Sequence, residues 1–231
     1  MPRTNMSAAD VAASLGLSPQ AVERLAEAGE LAGRKVRGQW QFRAGEVANW
    51  AAANLPTLRQ RQGRSPQSAG TELLISPDLD AATVAVPLPC RTRVSVLYEL
   101  VRLAEATGRI ADGRDLVNSL VEREKQQSTA LPGGVAIPHS SQVGRYLLAK
   151  EPVVAAGRVD GGIPFGDPSG GLTDLFFLVC CVDYRQHLLY LGRLCRLLGD
   201  PAVLAALRLA SDAAGFVAVL RQQEEALCRR L

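Results

Sequence analysis

Eight consecutive apolar side chains, Leu175-Phe176-Phe177-Leu178-Val179-Cys180-Cys181-Val182, constrain this chain more than any other feature. Successive side chains of a strand point to opposite faces of a sheet, so a strand without polar alternation has no face for water and is covered on both sides. The run is also far shorter than the roughly 20 residues that cross a bilayer, so no membrane insertion is expected. Around it the pattern reads as a strand over 83–88, helices over 92–107 and 113–123, strands over 135–137, 153–159 and 174–182, and helices over 186–198, 201–210 and 212–225. That order predicts an α/β fold, a mixed β-sheet flanked by helices.

At 231 residues, 47% of them hydrophobic and 21% charged, the chain is long enough for one large or two moderate globular domains. Its net charge of +3 is unevenly spread: residues 1–70 hold nine Arg and Lys against five acids, a net +4, which leaves −1 for the remainder. This asymmetry predicts an N-terminal module that meets a polyanion and a body that does not. Five cysteines, an odd number in mostly apolar surroundings, read as reduced buried thiols. With no apolar stretch of signal type near the N-terminus, they predict a cytoplasmic protein. There is no Cys-x-x-Cys pair and the two histidines are distant in sequence, so no metal site is expected, and no cofactor.

Ser7 is placed to cap a helix over residues 8–14, and Gly16-Leu17 then turn the chain. Ser18-Pro19 supply an N-cap and a first-turn proline to a second helix reaching Ala28. On that helix Ala21, Val22, Leu25 and Ala28 share an inner face, while Gln20, Glu23, Arg24 and Glu27 turn outward. Arg34-Lys35-Val36 and Trp40-Gln41-Phe42, around Arg37-Gly38, read as a basic hairpin with Trp40 and Phe42 facing the core, and a third helix runs from Gly45 to about Ala53. Met6 to Trp50 resemble the excisionase or MerR-like helix-turn-helix family in pattern and spacing. The resemblance implies that residues 1–55 are a small DNA-binding domain with a β-hairpin wing. Gln20 and Arg24 are the candidates for base contacts, and Arg34, Lys35 and Arg37 for phosphate contacts. Glu23 and Glu27 would repel phosphates, which keeps a protein-binding module as the alternative. Residues 56–72, within the Pro-, Gln-, Ser-, Gly- and Arg-rich stretch from Asn54 to Glu72, read as a flexible linker that lets the two domains reorient.

In residues 73–231, Val135 to Ile137 read as a short buried strand stopped by Pro138, which cannot donate a ladder hydrogen bond. His139 is then expected at a rim, followed by Ser140 and Ser141, whose backbone N–H groups suit an anion such as phosphate carried on the imidazole. A surface histidine in a turn is the commoner meaning of such a residue taken alone. Glu122-Arg123-Glu124, Ser128-Thr129, Ala136-Ile137-Pro138-His139, Gly162-Ile163-Pro164-Phe165-Gly166-Asp167 and the helix opening at His187 together resemble the enzyme IIA proteins of the bacterial phosphotransferase system. The likeness is to the fructose, mannitol and nitrogen-regulatory (type 2) class, from about Leu73 to Leu231. The chain departs from that pattern at Ala130-Leu131-Pro132, where a glycine usually follows the Ser/Thr pair.

This second resemblance implies the enzyme IIA type-2 fold and a phosphohistidine carrier. His139 would be the nucleophile, His187 the second active-site histidine, and Arg123 the cation on the phosphoryl oxygens. Thr129, Ser140 and Ser141 would be phosphate-binding donors. It implies a histidine-containing phosphocarrier protein as phosphoryl donor. With neither a IIB nor a membrane unit in the sequence, regulation of DNA or of target proteins is expected over sugar import. Two alternatives stay open: a plain sugar-system carrier with a protein-binding N-terminal module, and a DNA-binding regulator whose IIA-like domain senses a ligand without being phosphorylated.

Overall fold

A computed structural model describes residues 5–15, 17–47, 50–51, 75–140, 149–182 and 184–229. The expected linker over 56–72 and Ser141 lie outside the described residues. In the N-terminal part, β1 (Asn5–Ser7) leads into α1 (Ala8–Leu15) through a reciprocal cap. The Asp10 N–H donates to Ser7 Oγ at 3.2 Å, and the Ser7 N–H donates to Asp10 Oδ2 at 2.9 Å. Ser18 Oγ accepts the Ala21 N–H at 3.2 Å, and Pro19 opens α2 (Pro19–Glu27), as expected from the sequence. β2 (Arg34–Val36) and β3 (Gln39–Arg43) form the hairpin. Arg37 (φ 50°) and Gly38 (φ 80°) are both left-handed at its tip, the turn whose twist matches paired strands. β1 was not legible in the sequence because three residues show no alternation; it completes a sheet of order β1-β3-β2. The third helix is described at residues 44–47 and 50–51 only. Val11, Leu15, Val22, Leu31, Phe42 and Val47 form the core, and Trp40 stacks on Phe42 with ring centroids 6.1 Å apart.

The larger body is a five-stranded mixed sheet of order β4-β7-β8-β6-β5. Its strands are β4 (Val84–Ala85), β5 (Ala130–Leu131), β6 (Val135–Ala136), β7 (Val153–Ile163) and β8 (Thr173–Cys180). β8 lies in the middle, antiparallel to β7 and parallel to β6. Its side chains divide by parity. Phe176, Leu178 and Cys180 belong to a core shared with α3 (Arg93–Glu105) and α4 (Gly113–Gln126). Leu175, Phe177 and Val179 belong to a second core with α5 (Tyr184–Leu198), α6 (Pro201–Leu209) and α7 (Ala213–Cys228). The apolar run is thus covered on both faces, as its composition requires.

The strand expected over 83–88 shrinks to Val84–Ala85. Asp80 caps a 3₁₀ turn at Ala81–Thr83 just before it, and Pro87 has no donor after it. β5 was missed because two residues carry no period. In contrast to two freely reorienting domains, α1 packs against α5, and Ala8, Val11 and Leu15 join one apolar cluster with Leu188, Leu191 and Cys195. Among the described residues no helix is long and apolar enough to cross a membrane.

The β5–β6 turn depends on Gly134. Its φ is +79°, and a Cβ there would lie 2.9 Å from both Arg208 Nη2 and Asp174 Oδ1. Those two groups form a bidentate pair at 2.6 and 2.7 Å. Gly134→Ala therefore combines backbone strain with a split ion pair and is expected to lower stability by about 1–3 kcal/mol. An unchanged thermal midpoint would refute this account of the turn.

Candidate active site

The site is built where β6 runs out. Pro138 has no N–H, but its carbonyl still accepts the Val179 N–H at 3.1 Å, and His139 is bridged to Val179 in parallel. The proline removes a donor without ending the pairing. His139 is consequently 1% exposed and not at a rim, which corrects the reading of Pro138 as a strand stop. Alternation then assigns the side chains. Val135 and Ile137 face the core under α5, and His139 follows their parity. Its ring meets that of His187, which lies in the first turn of α5 and is 0% exposed, with centroids 5.2 Å apart and planes at 56°. Ser140 has the opposite parity, and its hydroxyl lies 2.5 Å from Ser119 Oγ on α4.

His139 Nδ1 sits 2.7 Å from the Ile137 carbonyl oxygen. A carbonyl only accepts, so Nδ1 carries the proton and the lone pair is on Nε2. Among the described residues, that Nε2, both ring nitrogens of His187 and Arg123 Nε are buried without a hydrogen-bond partner. Each such atom costs about 1–3 kcal/mol, and their concentration around two facing imidazoles points to a polar group that they receive. Burial and then the Arg123 charge lower the His139 pKa to about 4, against the opposing bond to Ile137. Burial, His139 and Arg123 push His187 well below the ordinary imidazole value. Both rings are neutral at physiological pH.

Arg123, in the last turn of α4, is 2% exposed rather than a solvated helix-end cation, and its Nη1 donates to the Gln127 carbonyl at 2.5 Å. Burial lowers its pKa, while the Glu124 carboxylate opposes that. Thr129 is also buried, but its N–H and its hydroxyl both donate to the Glu124 carboxylate, the N–H at 3.2 Å to either oxygen. Its donors are turned to Glu124 and not to the imidazoles, which corrects its assignment as a phosphate ligand. Two participants went unassigned in the sequence reading, Ser119 and Glu124. Ser119 had a visible signal, a serine four residues before Arg123 on the apolar face made by Leu116, Val117 and Leu120.

In the N-terminal part the neutral Gln20 and the basic Arg24 are exposed on α2, and Arg34, Lys35 and Arg37 are exposed on the hairpin. Lys35 Nζ lies 3.4 Å from Glu27 Oε1 and 5.1 Å from the centre of the Trp40 ring, so part of its charge is already answered within the module.

Comparison with known proteins agrees with this architecture. The family model described as "Phosphoenolpyruvate-dependent sugar phosphotransferase system, EIIA 2" matches residues 79–223, and a helix-turn-helix domain model matches residues 6–55. A nitrogen regulatory protein of Bradyrhizobium diazoefficiens is 33% identical over 147 residues, 62% of this chain and 92% of that protein. The fructose-specific EIIABC component of the phosphotransferase system of Bacillus subtilis is 23% identical over 145 residues, and the matched segment spans only 22% of it. Among solved structures, nitrogen regulatory protein IIA-Ntr of Neisseria meningitidis superposes with a TM-score of 0.58 at 25% identity, covering 64% of this chain and 99% of that one. IIA mannitol of Escherichia coli shares the fold at a TM-score of 0.54 and 17% identity, covering 62% and 98%. Carrying a helix-turn-helix domain ahead of its mixed sheet, the chain belongs to the EIIA 2 family of the phosphoenolpyruvate-dependent sugar phosphotransferase system.

Proposed function

We propose that this chain carries a phosphoryl group on Nε2 of His139, received from a histidine-containing phosphocarrier protein, and that the carried group serves regulation. The observation that supports this most directly is the fixed tautomer: Nδ1–H is committed to the Ile137 carbonyl and a buried lone pair is left on Nε2. In the transfer, that lone pair attacks phosphorus while the donor's P–N bond breaks and its electron pair returns to the donor nitrogen. The Nδ1 proton stays in place, so the phosphorylated ring is cationic and the Ile137 carbonyl holds its N–H; no base is required. Arg123 offers its fork to the phosphoryl oxygens, and His187 donates one ring N–H to them. The backbone N–H groups of Ser140 and Ser141, next in the chain, are offered as further donors; the Ser140 hydroxyl faces Ser119 instead. Incubation with phosphoenolpyruvate, enzyme I and the phosphocarrier, followed by peptide mapping in the mass spectrometer, tests the proposal. No phosphate on the His139 peptide while the phosphocarrier itself is loaded would overturn it.

The regulatory part is supported by the helix-turn-helix domain and by the nitrogen regulatory relative, which is matched over 92% of its length. In this reading the protein works in the cytoplasm, the N-terminal domain binds DNA through Gln20 and Arg24 at bases and through Arg34, Lys35 and Arg37 at phosphates, and phosphorylation changes that binding. The route is short: α1 packs against α5, and the first turn of α5 carries His187. The phosphoryl oxygens carry about −1.5 to −2 charges, as estimated for phosphorylated hydroxyls, and the cationic ring offsets one of them, so the net change at that helix end is about −0.5 to −1. DNA titrations of phosphorylated and unphosphorylated protein are expected to differ by about 5- to 150-fold, with His139→Ala fixed at the unphosphorylated value. Neutralising one phosphate contact, for example with Arg34→Ala, is expected to reduce the slope of log K against log salt by about 0.9. Equal affinities of the two forms would remove the coupling, and no affinity at low salt would favour the protein-binding alternative.

A further inference from the structure

Glu124 is 4% exposed and touches neither histidine in the described contacts, yet it stands at the start of a chain of hydrogen bonds that ends on the reactive ring. Its carboxylate accepts both the N–H and the hydroxyl of Thr129. The Thr129 carbonyl accepts the Ile137 N–H at 3.1 Å. The Ile137 carbonyl accepts the His139 Nδ1–H at 2.7 Å. Each link is a peptide unit or a side chain that the previous link holds in place. β5 and β6 share only two residue pairs, Ala130 with Ala136 and Leu131 with Val135, so on its β5 side the strand end is held by the Ile137–Thr129 bond, while on its other side it stays paired with β8 through Pro138 and Val179.

Glu124 and Arg123 are neighbours on α4 whose charges act on each other. Burial lowers the Arg123 pKa and the neighbouring carboxylate opposes that, while the Thr129 hydrogen bonds, then Arg123 and Arg93, oppose the rise that burial imposes on Glu124. Arg93 is itself anchored, with its guanidinium 5.4 Å from the centre of the Phe165 ring. The acid is thus tied through Thr129 to the orientation of the imidazole and lies beside the cation of the site.

We infer that Glu124 is the positioning residue of this site: through Thr129 and Ile137 it fixes the His139 tautomer that leaves Nε2 free. The inference rests on the proposal that His139 is the phosphoryl acceptor, but its main readout does not. Nitrogen-15 NMR of the histidine side chains in the unphosphorylated full chain is expected to show His139 as a single tautomer, with a pyrrole-type Nδ1 and a pyridine-type Nε2.

Glu124→Ala is expected to mix the two tautomers and to slow phosphoryl acceptance by about ten-fold or more, the scale seen when a group that orients a working histidine is removed. Glu124→Gln, which keeps one acceptor oxygen for Thr129, is expected to retain the tautomer and most of the rate. Thr129→Val, which removes only the hydroxyl donor, is expected to shift the tautomer part of the way, and it stands in should Glu124→Ala fail to fold. A single unshifted tautomer together with a wild-type rate in Glu124→Ala, or in Thr129→Val if it must be used, overturns the inference. A shifted tautomer in a chain that takes no phosphate on His139 supports the positioning role while sinking the carrier proposal.

Discussion

Replacing His139 with alanine is expected to abolish phosphoryl labelling altogether, because among the described histidines it alone has its tautomer fixed with Nε2 free. In the wild type the label is expected to be labile in acid and stable in base, the behaviour of a P–N bond and not of a phosphate ester. The variant leaves a small cavity beside His187 and the end of β6, so a stability loss of about 1–3 kcal/mol accompanies it, and circular dichroism is expected to show the fold retained. His139→Gln, closer in volume, separates loss of the nucleophile from loss of packing, and it too is expected to take no label. Arg123→Ala retains the nucleophile but loses a charge-assisted bond worth about 1.5–3 kcal/mol, so its transfer rate is expected to fall by about 10- to 150-fold. His187→Ala is expected to fall by about ten-fold. Label in His139→Ala at the wild-type level would refute the assignment, and equal rates in wild type, Arg123→Ala and His187→Ala would mean that the three groups do not act together.

Acidification is expected to unfold this protein more readily than an ordinary α/β domain, and the two histidines set the direction. His139 titrates at about 4 in the folded chain and near the ordinary value of 6.5 when unfolded. Between those values the unfolded state binds more protons, so this stabilising contribution is complete above about pH 6.5 and is lost as pH falls toward 4. For a shift of that size the expected loss between pH 7 and pH 5 is about 2 kcal/mol from His139 alone. His187, also pushed down by burial, adds to it in the same direction. Glu124 works the opposite way, because burial raises its pKa, and offsets part of the loss just above the ordinary carboxylate range. Urea midpoints measured across pH 5 to 7 test this. The wild type is expected to weaken steeply with acid and the His139→Ala, His187→Ala double variant much less; parallel curves for the two proteins would show that neither ring is buried neutral.

Much of the architecture was legible because its causes are local. Ser7 and Ser18 accept first-turn N–H groups as N-caps, and α1 and α2 start where those caps predict. Arg37-Gly38 made the hairpin visible because two adjacent left-handed residues have few other uses. β1 and β5 were invisible because two or three residues become strands only when a partner from elsewhere in the chain supplies the ladder.

The sequence by itself determined the layers of the sheet body and named three residues of the candidate site, while Ser119 and Glu124 stayed unassigned. An apolar run with no polar face requires a sheet covered on both sides, and the motif residues His139, Arg123 and His187 were identifiable before any fold was known. Only the tertiary structure decided what state those residues are in. The Pro138 carbonyl finds the Val179 N–H about 40 residues away in sequence, and that bond carries His139 inside. Packing of α5 on the sheet then brings His187 against it, and burial at the end of α4 turns Arg123 from a solvated cation into a partly desolvated one. Tautomer, protonation and charge depend on what surrounds a group in space, and sequence neighbours specify that only where secondary structure keeps them neighbours.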